Sequence, residues 1–256
     1  PERFGNYTLL RRLADGGMGS VFLATHGAVG GVQKRCVLKT LHRALTDDPE
    51  YVARFIDEAR LVVQLTHRNI CQVFDVGRVG GRHYLAMEHV TGCDLSTLVC
   101  RLAERGRAID QNLALHIMLE VLDALDYAHR KVDANGKPLG LVHRDVSPDN
   151  VMINFEGEVK LIDFGVASSS IKIEHTKPNV VLGKLPYMAP EQARGEHVDR
   201  RTDLFSAAVV AYELLAHERF YAGLEPQGIW LTVGTGSYLP PRLSSLPAPL
   251  NAILAR

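Results

Sequence analysis

The densest chemistry in this chain lies in Leu141 to Ile153, read as Leu-Val-His-Arg-Asp-Val-Ser-Pro-Asp-Asn-Val-Met-Ile. Two short aliphatic runs, Leu141-Val142 and Val151-Met152-Ile153, have the pattern of buried strand ends. Between them stand His143, Arg144, Asp145, Asp149 and Asn150, with Pro148 breaking the chain. Polar residues this dense between two apolar runs point to a site. Further on, the aliphatic run Lys160-Leu161-Ile162 delivers Asp163, Phe164 and Gly165. Pairing of the two short strands would bring the amide oxygen of Asn150 to the carboxylate of Asp163. Hard oxygen donors of this kind suit magnesium shared with phosphates. Asp145 would stay free to orient a hydroxyl.

Several elements must position these groups. Tyr7 to Leu13 and Ser20 to Thr25 read as short strands joined by Ala14-Asp15-Gly16-Gly17-Met18-Gly19. Glycine backbone can approach a phosphate closely and donate N–H groups to it. Cys36-Val37-Leu38-Lys39 reads as a third strand ending in a cation. Asp48-Pro49-Glu50 has the cap residue, first-turn proline and acid of a helix start. That helix is expected to run to about Thr66, with Val52, Phe55, Ala59, Val62 and Thr66 facing inward and Glu58 at the edge of the stripe. Gln72 to Val79 and Arg82 to Val90 form a hairpin turning at Gly80-Gly81.

From about Asp110 to Lys131, Leu113, Ile117, Val121 and Leu125, with Met118 and Leu122, make the wide stripe of a buried scaffold helix. Asn135-Gly136 and Pro138 then mark a surface turn. A helical run is expected from Asp203 to Ala216. After Phe220 the chain is rich in Gly and Pro through Pro249, and another helix begins at Asn251.

A length of 256 residues suffices for one large domain or two lobes. With 29 basic and 29 acidic side chains the net charge is zero, so no global field draws nucleic acid or anionic lipid. Cysteines 36, 71, 93 and 100 lack Cys-x-x-Cys spacing and lie in apolar surroundings, the pattern of buried thiols in a reducing compartment. No apolar run approaches the roughly 18 residues of a membrane span, and no signal segment opens the chain. The expected location is cytoplasmic. The first residue, Pro1, suggests a fragment whose full-length protein could carry an anchor elsewhere.

His143-Arg144-Asp145 with Asn150, then Asp163-Phe164-Gly165, then Ala189-Pro190-Glu191 within Tyr187 to Gln192, together resemble the catalytic core of the protein kinases. The resemblance is to the bacterial, eukaryotic-type (Hanks-type) serine/threonine kinases and runs from about Tyr7 to the last residues. It implies an α+β, two-lobed fold over residues 1–256, with a small lobe at 1–88, a hinge at 89–91 and a mainly helical lobe at 92–256 that is incomplete at its C-terminus. The implied reaction moves the γ-phosphoryl group of ATP, with magnesium or else manganese, to serine or threonine of protein substrates, with autophosphorylation and a part in bacterial signalling. The alternative is a pseudokinase, a nucleotide-binding scaffold that regulates a partner. No nucleic acid or membrane partner is implied; a homodimer through the small lobe is.

Carried over onto matching positions, the resemblance makes Asp145 the residue that takes or orients the hydroxyl proton, and Asn150 and Asp163 the metal ligands. Lys39 holds phosphate and is itself paired with Glu58. Gly16, Gly17, Gly19 and Val21 cover the nucleotide, with Ala14 where the family has its first glycine. Met87 guards the back of the pocket, the backbone of Glu88 and Val90 meets adenine, Asp94 reaches the ribose, and Met152 completes the pocket. Asp203 caps backbone near the catalytic loop. Phosphates on Ser168, Ser169, Ser170 or Thr176 would pair with Arg144.

Two departures stand out. Ser147 replaces the catalytic-loop lysine usual two residues after the Asp, and Lys184 replaces the threonine of the usual Gly-Thr-x-x-Tyr. The expectation is that Lys184 enters the space beside Ser147 and restores the cation. Glu191, whose family partner is an arginine further along, is expected to be unpaired or exposed.

Overall fold

The computed structural model describes residues 1–16, 19–27, 33–164 and 184–255, without the side chains of residues 43, 50, 54 and 58. Alternation of apolar and polar residues over the first ninety positions builds an antiparallel sheet. Its strands are β1 (Glu2–Phe4), β2 (Tyr7–Asp15), β3 (Gly19–His26), β4 (Lys34–Leu41), β5 (Val73–Val79) and β6 (Arg82–Glu88), in the order β1-β2-β3-β4-β6-β5. Phe4, Tyr7, Leu9, Ala24, Cys36, Leu38, Tyr84 and Ala86 close one hydrophobic cluster. Inside the sheet, Tyr7 and Tyr84 both donate to Asp75 Oδ2, at 2.5 and 2.9 Å.

Two glycine positions have a clear physical reason. Val79 pairs with Arg82 across Gly80 (φ +55°) and Gly81 (φ +84°), the two left-handed residues of a tight hairpin. At Gly19 a Cβ would stand 1.8 Å from the Thr40 carbonyl oxygen, so pairing of β3 with β4 demands glycine there whatever the loop binds.

Helix α1 (Arg43–Thr46) precedes α2 (Pro49–Val62), where Asp48 Oδ1 accepts the Tyr51 N–H at 3.2 Å. Helix α2 ends at Val62, short of the Thr66 expected from periodicity. The N–H groups of Gln64 and Leu65 turn back to Leu61 and Val62, tightening the last turn, and that of Thr66 goes to Tyr127 Oη at 3.2 Å. A tertiary partner thus outbids helical continuation.

Beyond Glu88 come β7 (Gly92–Asp94), α3 (Leu95–Glu104), α4 (Gln111–His129), β8 (Val151–Asn154) and β9 (Val159–Leu161), then α5 (Pro190–Ala193), α6 (Arg200–Ala216), α7 (Pro226–Val233) and α8 (Ala248–Leu254). Strands β7, β8 and β9 form a second small sheet in that order. A small sheet lobe and a helical lobe result, as the resemblance to the kinases implies. Leu141-Val142 is irregular rather than a strand end.

Helix α4 is the buried scaffold, but its inner face is rotated from the expected stripe. Ala114, Ile117, Met118, Val121, Ala124, Leu125 and Ala128 are buried, whereas Leu113 and Leu122 are 44% and 38% exposed. Alanines let the α4 backbone approach α6 closely, and leucine-weighted periodicity overlooks them. Helix α6 begins at Arg200 behind an Asp199 cap, earlier than expected. Helices α3 and α7 were not anticipated, and α8 starts at Ala248 rather than Asn251. Cys36 and Cys71 are buried, but Cys93 is half-buried and Cys100 exposed, against the expectation for all four.

The rotated face of α4 is testable by urea unfolding. Leu125→Ala should cost about 2–5 kcal/mol, and Leu122→Ala less than about 1 kcal/mol. Equal losses would restore the leucine stripe.

Candidate active site

Pairing of β8 with β9 brings the two chemistry-bearing segments together. Val151 lies opposite Leu161, and the Ile162 N–H donates to Asn150 O at 2.9 Å. Asn150 and Asp163 thus leave one strand pair side by side, as their placement around the aliphatic runs implies. Strand β7 adds Asp94 opposite Met152.

Asp203 fixes the loop that carries Asp145. This carboxylate is fully buried on α6 and accepts the His143 N–H at 2.8 Å, the Arg144 N–H at 2.7 Å and a hydrogen bond from His129 Nε2 at 2.7 Å. Those bonds hold Arg144 at φ +65°, a left-handed conformation that a non-glycine residue adopts only under constraint. His143 is also fully buried, reaches Ile162 O through Nε2 at 2.9 Å and packs on Phe164 with ring centroids 4.5 Å apart. Both rings are framework, as expected.

Asn150 Nδ2 donates to Asp145 O at 2.7 Å and to Asp145 Oδ2 at 2.8 Å. Its amide nitrogen is spent on Asp145, which turns its oxygen into the atom available to a cation. Lys184 Nζ also reaches Asp145 Oδ2. Among the described residues Asp145 Oδ1 accepts no hydrogen bond, so one oxygen is anchored and the other can receive a proton. Ser147 is buried with its Oγ lacking a partner among the described residues.

Lys39 Nζ lies 2.9 Å from Asp163 Oδ2, and Asp163 sits at φ +58°. Burial pushes the Asp163 carboxyl up. The charge and hydrogen bond of Lys39, helped by Lys184 and His143, outweigh that and hold it below the ordinary carboxylate range. The lysine therefore pairs with Asp163; the expected partner's side chain, that of Glu58, lies outside the described residues, as do Gly17 and Ser168, Ser169, Ser170 and Thr176.

Several positions that the resemblance assigns to nucleotide lie on neighbouring strands. Val21 pairs with Lys39 across β3 and β4, and Val37 with Met87 across β4 and β6. Gly16 N–H donates to Gly19 O at 2.9 Å, closing the turn between β2 and β3. Glu88 ends β6 and is followed by Val90 on the connection to β7. Asp94 caps α3, both its oxygens accepting from Thr97, at 2.6 and 2.8 Å. The cap is a second role beside the ribose contact that the resemblance implies.

Tyr187 to Gln192 is tied to the same loop. Gln192 Nε2 donates to Arg144 O at 2.9 Å, and Ser206 Oγ to Tyr187 O at 2.6 Å. Glu191 is not unpaired, contrary to expectation, because Thr202 Oγ1 donates to its Oε1 at 2.5 Å. That hydroxyl lies in the first turn of α6. Arg144 has its Nε buried without a partner among the described residues, and its side chain lines a pocket of about 590 Å³ with His129, His197, Arg200 and Arg201. Sequence reasoning missed His129 and Gln192. A histidine ending a helix and a glutamine after Ala-Pro-Glu carry no spacing signal of their own.

The donor set fits a divalent metal with a phosphate ligand: one ionised carboxylate, one freed amide oxygen and a lysine against the carboxylate. Comparisons agree. The protein kinase domain family matches residues 7–237. The chain belongs to the protein kinase family, among the bacterial eukaryotic-type serine/threonine kinase domains.

Tyrosine-protein kinase MasK of Myxococcus xanthus is 40% identical over 258 residues, covering 100% of this chain and 40% of that protein. Serine/threonine-protein kinase Pkn1 of Myxococcus xanthus is 38% identical over 83% of this chain and 29% of its own length. PknA of Mycobacterium tuberculosis, a serine/threonine-protein kinase, is 37% identical over 86% of this chain and 48% of its own. The chain thus spans less than half the length of these relatives. A crystal structure of the Mycobacterium tuberculosis PknI kinase domain superposes with a TM-score of 0.72 at 31% identity, covering 100% of this chain and 88% of that one.

The depressed Asp163 carboxyl gives a pH dependence. A group whose folded pKa lies below its unfolded value, about 3.9 for Asp, adds stability above that value and loses it as pH falls through the folded pKa. Without Lys39, burial is left to push the Asp163 carboxyl up, so the stability gap between the parent chain and Lys39→Met should be full where both folded forms stay ionised and close as pH falls through the carboxylate range in a series of urea titrations. A gap constant down to pH 2 would contradict the pairing.

Proposed function

We propose that this domain transfers the γ-phosphoryl group of Mg-ATP to serine or threonine hydroxyls of protein substrates. The observation that carries the reading is the anchoring of Asp145 Oδ2 by Asn150 and Lys184, which leaves Oδ1 for a hydroxyl. Asn150 and Asp163 would hold magnesium, or manganese in its place, and the bound metal would neutralise phosphate charge. Lys39 exchanges Asp163 for phosphate when nucleotide enters. Gly16, Gly17, Gly19 and Val21 cover the nucleotide, and Met87, the backbone of Glu88 and Val90, Asp94 and Met152 surround its base and sugar. Glu58 is assigned to Lys39 by resemblance alone. Catalysis is then mostly positioning and charge neutralisation.

Lys184 supplies the cation that Ser147 does not. A charge about 4 Å from the transferring group is worth about 4 kcal/mol at an effective dielectric near 20, or about a thousandfold in rate. Pro148 favours a serine or threonine acceptor. MasK bears a tyrosine kinase name, which makes acceptor identity the finer point to test. Retention of Lys39, Asp145, Asn150 and Asp163 together argues against a nucleotide-binding scaffold without transfer.

Residues 1–88 are assigned as the small lobe, 89–91 as the hinge and 92–256 as the large lobe of one domain. Autophosphorylation, a role in bacterial signalling, a cytoplasmic location and a homodimer through the small lobe rest on the resemblance. Among the described residues no helix is long and apolar enough to cross a membrane.

Phosphate transfer from labelled ATP to a generic basic protein should require magnesium or manganese and vanish in Asp145→Asn. Lys184→Ala should lower kcat by about a hundred- to a thousandfold with KM for ATP little changed. Adding Ser147→Lys should recover at least about tenfold of that loss. Full turnover in Lys184→Ala would remove the lysine from the mechanism.

A further inference from the structure

Two ion pairs join the large sheet to the segment that carries Asp163. Lys39 on β4 meets Asp163 itself at 2.9 Å. At the other end of the same segment, Lys160 Nζ on β9 meets Glu88 Oε1, the last residue of β6, also at 2.9 Å. The Lys160 and Glu88 side chains are only 16% and 28% exposed, so salt screens this pair less than a surface one.

Both partners are also held by backbone. Lys160 Nζ donates to Arg68 O at 3.0 Å, and Glu88 Oε1 accepts the Gln72 N–H at 3.3 Å. The main chain of β9 is pinned to the same stretch, with Leu161 N–H on Asn69 O at 2.8 Å and Cys71 N–H on Leu161 O at 2.9 Å. The carboxylate of Glu88 therefore faces the strand that leads into Asp163, while its backbone lies at the proposed adenine end of the cleft.

The two pairs differ in what competes for them. Phosphate and metal draw away both charges of the Lys39–Asp163 pair when nucleotide binds. Neither Lys160 nor the Glu88 carboxylate is asked for by the nucleotide. We infer that Lys160 and the Glu88 side chain form a permanent strut that fixes the span between the adenine-binding backbone and Asp163, making both positioning residues for nucleotide. The inference rests on the kinase reading. A ligand that touches both ends of a span gains from having that span set in advance, because otherwise ordering is charged against binding. A ligand that touches one end gains nothing.

The test compares a two-ended ligand with a one-ended one. Binding of Mg-ATP and of adenosine is measured by calorimetry on the parent chain, Lys160→Met and Lys160→Arg, with thermal unfolding confirming that each is folded. Lys160→Met should weaken Mg-ATP by about three- to tenfold and adenosine by less than about twofold. Lys160→Arg should bind Mg-ATP like the parent. Equal weakening of both ligands, no weakening in a folded Lys160→Met, or a folded Lys160→Arg no better than Lys160→Met would overturn the strut. Absence of Mg-ATP binding by the parent chain would instead remove the kinase reading and the strut with it.

Discussion

A single buried carboxylate, Asp203, sets the geometry of the site. Burying a charge without partners is prohibitively costly, so a fully buried aspartate survives only where donors converge on it. Here the donors are the backbone N–H groups of His143 and Arg144 and the ring of His129. The loop cannot relax out of its left-handed residue without stranding that charge. Because Asp203 sits in the first turn of α6, whose apolar face is packed into the main core, the loop inherits the rigidity of a helix. Asp145 and Asn150 follow from that anchor, and Asp163 follows through the pairing of β8 with β9.

On this frame the chemistry is an arrangement of two carboxylates and two lysines. Each carboxylate is matched by a lysine from a distant part of the chain, Lys39 for Asp163 and Lys184 for Asp145. In the proposed mechanism the Lys39–Asp163 pair opens to receive phosphate and metal, while Asn150 and Lys184 keep their hold on Asp145 Oδ2. Lys184 places a cation beside Asp145, and the Ser147 hydroxyl is buried without a partner among the described residues.

Much of this was legible in the residue order. The strand pair around Asn150 and Asp163 follows from polar residues placed at the ends of aliphatic runs, whereas the cap supplied by Asp203, the buried His143 and the approach of Lys184 to the catalytic loop were implied by the resemblance to the kinases. What escaped was whatever depended on another part of the chain. The end of α2 is set by Tyr127, the inner face of α4 by small residues opposite α6, the environment of Glu191 by Thr202, and the bonding of Asp94 by Thr97. Periodicity weighs large apolar residues and cannot see a hydroxyl arriving from elsewhere. Short helices such as α3 and α7 are likewise stabilised by packing rather than by a long repeating pattern.

The most direct test of the central claim is phosphoamino acid analysis of protein labelled with γ-labelled ATP and magnesium by this chain. Label recovered in phosphoserine or phosphothreonine is the expected result. Label confined to phosphotyrosine would contradict the acceptor assignment, and nucleotide bound without any label transferred would contradict the kinase activity itself.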